Sequence, residues 1–115
     1  MTITRIQPGP RMSRAVVHGD TVYLSGQVVD DATLDVAGQT RELLARIETL
    51  LAEAGSDKSR ILSVQIWLAD IATFEQMNTV YDAWVDRANP PVRATVEARL
   101  ARPAFKVEIA AIAAR

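Results

Sequence analysis

Ile61-Leu-Ser-Val-Gln-Ile-Trp-Leu68 decides the fold. Ile61, Ser63, Gln65 and Trp67 alternate with Leu62, Val64, Ile66 and Leu68, the period of two expected of a strand with one buried face, and the second set is the core-facing one. Helical periodicity flanks this strand on both sides. Upstream, Val36, Leu43, Leu44, Ile47, Leu50, Leu51 and Ala54 recur at three- and four-residue steps. Arg41, Glu42, Arg46, Glu48 and Glu53 fall between them, as in an amphipathic helix. Asp35 can cap its first free amides and Gly55 can end its last turn, so the helix runs from about Asp35 to Ala54. Downstream, Asp70 and the capping-box pattern Thr73-x-x-Gln76 introduce a second helix with Phe74, Met77, Tyr81, Trp84 and Val85 on one stripe. It stops before Pro90-Pro91, whose rings remove two donors and disfavour helix in the preceding residue.

Working further outward, Val16-Val17 and Val22-Tyr-Leu24 flank His18-Gly19-Asp20, two β-prone runs about a tight turn. After the second helix, Arg93–Leu100 and Phe105–Ala113 read as strands. In the last, Phe105, Val107, Ile109 and Ala111 face one side, and Lys106, Glu108, Ala110 and Ile112 the other. The order β-β-α-β-α-β-β is that of an α+β fold with two helices on one face of a sheet. The last strand is apolar on both faces and Trp67 lies opposite the core set, so the uncovered face is expected to pack on another subunit.

The 115 residues contain no linker-like Pro/Gly/Ser stretch, and 1–115 reads as a single domain. A composition 49% hydrophobic and 23% charged is that of a folded chain. Net charge −1 and the lack of any Lys/Arg run give no general attraction for nucleic acid or anionic lipid. No cysteine is present, which excludes disulfides and thiolate chemistry. The start Met-Thr-Ile-Thr-Arg has no apolar signal core, and no apolar run approaches the roughly 20 residues of a membrane span. The expectation is a cytoplasmic protein with no membrane contact. No internal repeat is visible.

Few residues are candidates for chemistry. His18 is the only histidine, sits by a turn, and cannot alone build a metal site or a triad. Ser25 precedes a glycine but lacks the glycine two places earlier that makes a nucleophile elbow; its hydroxyl can serve as a donor. Asp30-Asp31 are solvated loop or helix-start acids. Arg93 is delivered rigidly by Pro90-Pro91-Val92 to the start of a strand, where its guanidinium can pair with a carboxylate in two-point fashion or form a surface salt bridge. Glu108 stands in an apolar strand, where a carboxylate has either a task or a structural partner such as Lys106 or Arg93. Asn78 falls on the apolar rhythm of the second helix and must bond a loop carbonyl or a ligand. Met77, Tyr81 and Trp84 read as core.

Tyr23-Leu-Ser-Gly-Gln27, Asn78-x-x-Tyr81, Pro91-Val-Arg-Ala-Thr-Val-Glu97 with Leu100, and Lys106-Val-Glu-Ile-Ala-Ala-Ile112 together resemble the Rid (YjgF-like) family from end to end. Arg11-Met-Ser-Arg14, Trp67-Leu-Ala-Asp70, Tyr81-Asp-Ala-Trp84 and Pro91-Val-Arg93 look closer to its YoaB-like branch than to its best-studied deaminases. The resemblance implies a chorismate-mutase-like α+β fold, a homotrimer with clefts between subunits, and no metal or organic cofactor. It implies enamine/imine deaminase activity on 2-imino acids derived from species such as 2-aminoacrylate. Arg93 would anchor the carboxylate and Glu108 would stand near the attacking water. Ser25, Gly26, Asn78 and Thr95, the last through its backbone amide, would line the cleft. Where family members often carry an aromatic residue, this chain has Met12, which fills space but offers no hydroxyl. The other function the same cleft could serve is that of a non-catalytic module binding a keto acid or amino acid. A ribonuclease role finds no basic patch or stacking platform in the sequence.

Overall fold

The computed structural model describes residues 1–115 as six strands and two α-helices. The strands are β1 (Ile3–Pro8), β2 (Ser13–His18), β3 (Thr21–Leu24), β4 (Ile61–Leu68), β5 (Val92–Glu97) and β6 (Val107–Ala114); the helices are α1 (Val36–Glu53) and α2 (Phe74–Trp84). All six strands form one mixed sheet in the order β1-β2-β3-β6-β4-β5. The parallel β4–β5 pair is the crossover that α2 makes possible; every other neighbour is antiparallel. The α+β architecture expected from the sequence is the one observed.

Both helices cover one face. Val17, Val22, Val64, Ile66, Leu68, Val107, Ile109, Ala111 and Ala113 rise from the sheet to meet Leu43, Leu44, Ile47, Leu51 and Met77, and all are buried. Helix α1 ends as read: Asp35 Oδ1 accepts from Gly38 N at 2.8 Å, and Ala54 N closes the last turn. The β2–β3 hairpin turns through Gly19, whose φ of +62° is the left-handed conformation that glycine tolerates.

Several details depart from the sequence reading. Strand β1, pairing Ile3 with His18 through Pro8 with Ser13, was not expected, because almost all of its side chains are exposed and the strand exists only through its pairing with β2. The alternation in β4 breaks at its start: a register shift between Ile61 and Ser63 turns Ile61 into the core and leaves Leu62 52% exposed. Thr73 makes no side-chain cap for α2. Its hydroxyl donates to Asp70 O, and Asp70 caps a short 3-10 turn, Ile71–Thr73, that leads into the helix. Helix α2 stops before Pro90-Pro91 as expected, but it ends at Trp84, and Val85, expected on its stripe, is extended. The strand expected over Arg93–Leu100 spans Val92–Glu97, and the last strand begins at Val107.

The opposite sheet face has no helix over it. Tyr23, Val92, Val96 and Ile112 stand exposed there, Val92 by 71%. No helix of the chain is long and apolar enough to cross a membrane.

Candidate functional site

The residues singled out from the sequence fall into two groups. Arg93 and Thr95 lie on β5 opposite Val64 and Ile66 of β4. Paired residues share a face, so Arg93 and Thr95 point to the helix side, at an edge strand with no further neighbour. The Arg93 guanidinium lies 4.7 Å from the Tyr81 ring centroid and 5.7 Å from that of Phe74. A cation over an aromatic face is attracted by the ring's negative face, which here holds the guanidinium without neutralising it. Asn78 is four residues after Phe74 and three before Tyr81, so it shares their face of α2. Its Oδ1 and the Thr95 hydroxyl are buried without a partner. The loop carbonyl that Asn78 was weighed against is not bonded. Burial pushes the Tyr81 phenol up, with the charge of Arg93 pulling the other way. It therefore stays protonated at neutral pH.

Ser25, Gly26, Met12 and Glu108 form the second group. Beyond β3 the chain is held by Ser25 N donating to Arg14 O at 2.9 Å and by Gln27 and Ile109 exchanging backbone bonds of 2.8 and 3.2 Å. Gly26 thereby crosses directly over Glu108. A Cβ at residue 26 would collide with Glu108 Oε2 and lie 3.0 Å from the carboxyl carbon, so the missing side chain is what lets the carboxylate sit there. Glu108 enters no ion pair; those present join Arg46 to Asp30 and Glu42, and Lys58 to Glu48. The structural partners weighed for it, Lys106 and Arg93, are not used. Burial raises its carboxyl above the ordinary range.

The Ser25 hydroxyl donates to Arg14 O at 3.1 Å and accepts from Gln27 Nε2 at 2.9 Å, so its hydrogen is engaged within the chain. Gln27, which the residue-by-residue reading passed over, is wholly buried; its Nε2 also bonds Ser25 O, and its Oε1 has no partner. Met12 is half exposed and shares a 440 Å³ groove with Gly26. Tyr81 reads in the sequence as core, and Phe74 as part of the same apolar stripe; only the fold shows that their rings seat Arg93. No three His, Cys, Asp or Glu side chains converge as a metal would need.

These two groups do not meet within one chain. Glu108 and Val96 both pair with Trp67, from opposite sides of β4. Two strand spacings and three residues along β5 thus separate Glu108 from Arg93, roughly 14 Å of backbone, with the side chains on opposite faces. No small imino acid spans that. A site using both residues would have to draw them from two copies of the chain.

Comparison with known proteins agrees with this fold. The family described as Endoribonuclease L-PSP matches residues 2–115. A RutC family protein of Haemophilus influenzae is 49% identical over 115 residues, covering 98% of each chain. The RutC family protein YoaB of Escherichia coli is 45% identical over 114 residues, 99% of each. A solved YjgF family member from Neisseria meningitidis superposes with a TM-score of 0.97 at 43% identity, over 100% of this chain and 96% of that one. The resemblance to the YjgF-like family and its YoaB-like branch is therefore borne out, and the chain belongs to the Endoribonuclease L-PSP family, which takes in the YjgF and RutC proteins.

Proposed function

We propose that the chain is an enamine/imine deaminase that hydrolyses small 2-imino acids to 2-oxo acids and ammonia, in clefts between the subunits of a homotrimer. The observation that carries this reading is an Arg93 guanidinium seated on two rings at an open sheet edge with no acid beside it. A carboxylate substrate supplies the missing partner in bidentate geometry. The imine carbon is already electrophilic, so orientation and one acid–base group suffice.

Glu108 is that group. Water adds to the imine carbon while its proton passes to the Glu108 carboxylate and from there to the imine nitrogen, giving a neutral carbinolamine and the free carboxylate. The carboxylate then takes the carbinolamine hydroxyl proton and hands it to the nitrogen as the C–N bond breaks, so that ammonia leaves, the oxygen becomes the 2-oxo group, and Glu108 is again the carboxylate it was at the start. A carboxyl raised by burial is better matched to such two-way transfer at neutral pH than an ordinary glutamate. Ser25, Gly26, Asn78 and Thr95 shape the cleft, and Met12 fills the place beside it. The reaction needs no cofactor, and cytoplasmic imines would be its substrates.

A second reading is a binding module using the same cleft for keto acids without turnover. The engaged Ser25 hydroxyl favours it, since Glu108 is then the sole proton carrier. The cleavage of RNA that the family description names finds little support in a chain of net charge −1. The test generates 2-imino acids with an amino-acid oxidase and traps them with semicarbazide. Wild-type protein should lower the trapped signal and Arg93→Ala should not. An undiminished signal with wild type across several imines, alongside ligand-dependent thermal stabilisation, selects the binding module.

A further inference from the structure

The groove that Met12 shares with Gly26 carries more positive charge than a single carboxylate calls for. Arg11 and Arg14 both line it, and no acidic side chain does. Neither guanidinium is in an ion pair. Asp30 is taken by Arg46 at 3.0 Å and Glu53 by Gln7 Nε2 at 3.0 Å, and the one unpaired acid beside the groove is Glu108, beneath Gly26, which the reaction itself uses.

The backbone at both arginines is held, while their exposed guanidiniums carry no ion pair. Arg14 O receives two bonds from Ser25, which locks residue 14 to the segment that crosses Glu108. Arg11 lies in a turn closed by Gly9 N donating to Met12 O at 2.8 Å. Gln7, which also lines the groove, keeps a φ of +48°, a left-handed conformation that a non-glycine residue holds only when its surroundings enforce it. Two guanidiniums on one groove of 440 Å³, neither with a carboxylate of its own, favour an anion that both can reach.

We infer that this groove is a subsite for a second anionic group, and that the preferred substrates are 2-imino dicarboxylic acids. The inference rests on the deaminase reading of the site. The α-carboxylate goes to Arg93 of the partner subunit, the imine carbon to Glu108, and the side-chain carboxylate past the thioether of Met12 to Arg11 and Arg14. Charge-assisted hydrogen bonds at that far end discriminate against substrates with a plain alkyl side chain.

Titration calorimetry with stable 2-oxo acids tests this without requiring turnover. At low salt, 2-oxoglutarate should bind wild-type protein about tenfold or more tightly than 2-oxobutanoate. Replacing both arginines by alanine should bring the ratio close to one, and replacing both by lysine should restore part of it. Equal affinities in wild type, a preference that survives the double alanine change, or failure of both acids to bind would each overturn the subsite. Both residues are exposed, so unchanged melting temperatures without ligand are expected for the variants. A wild type that shows the arginine-dependent preference yet hydrolyses no imine would leave the subsite standing and remove the deaminase reading instead.

Discussion

The Arg93 guanidinium rests 4.7 Å from the ring centroid of Tyr81, a phenol that burial keeps protonated. The ring orients the cation and leaves its hydrogen-bonding fork free. Tyr81→Phe keeps the aromatic face and should retain imine hydrolysis within a few-fold. Tyr81→Leu removes an attraction worth about 0.5–2 kcal/mol and should raise KM for the imino acid, with the fold intact. Arg93→Lys should lose most of the activity despite keeping its charge, because a single ammonium cannot match the two-point geometry of a carboxylate. Steady-state kinetics of the three variants checks this; a fully active lysine variant contradicts the bidentate role.

Gly26→Ala tests the packing of Glu108. The added methyl meets the far end of a flexible side chain rather than backbone, so Glu108 can swing away at a stability cost of about 1 kcal/mol or less. Hydrolysis should nevertheless fall by about a hundredfold, the scale of a lost general acid–base contribution. Thermal melts and kcat measured on one preparation separate the two effects. A variant that melts normally and turns over normally would show that the position of the carboxylate is immaterial.

Glu108 also sets a pH dependence. Its folded pKa is raised by burial above the unfolded value, so the folded state binds the proton more tightly. Its unfavourable contribution is absent below the ordinary glutamate range and grows as pH rises through that range toward the folded pKa. Glu108→Gln should therefore melt higher relative to wild type at pH 7 than at pH 4. The same titration should appear as the acidic limb of the activity profile, displaced upward from an ordinary carboxylate. A wild-type-minus-variant difference that is flat with pH argues against the desolvated carboxyl.

Much of this arrangement is legible in the sequence. The helices announced themselves because each buries one stripe: Leu43, Ile47 and Leu51 in α1, Met77 and Tyr81 in α2. Gly26 and Glu108 were singled out as separate positions. Their contact was not visible, because it depends on β6 inserting between β3 and β4, a long-range pairing that local periodicity does not encode. The same insertion places β4 between Glu108 and Arg93, so the distance between them is a property of strand order. Strand β1 left no apolar alternation to read, since Ile6 alone packs against the core. The shift at Ile61 and Ser63 is invisible for another reason: Leu62 continues a regular alternation that the bulge overrides.

The cap of α1 is a stability prediction independent of function. Asp35 accepts from Gly38 N at 2.8 Å, satisfying one of the free amides of the first turn. Asp35→Ala should lower unfolding stability by about 0.5–2 kcal/mol, and Asp35→Ser should recover most of the loss. Chemical denaturation of the three proteins measures it; equal midpoints would mean that the bond contributes nothing net.

The helix-free sheet face decides whether the proposed site exists at all. Tyr23 and Ile112 are paired across β3 and β6, and Val96 lies beyond on β5; their exposures of 46%, 37% and 44% form an apolar surface that a lone subunit would leave in water. In the proposed trimer this surface is buried, and its burial is what brings β5 of one chain to Glu108 of the next. Ile112→Asp places a charge there and should yield monomers by light scattering while far-ultraviolet circular dichroism retains its helical signal. Because Arg93 and Glu108 face opposite sides of their own sheet, folded monomers should bind no 2-oxo acid with wild-type affinity and hydrolyse no imine. A monomeric variant that keeps full turnover would mean that the reacting groups lie within one chain, and that the assignment of Arg93 and Glu108 to a shared substrate is wrong.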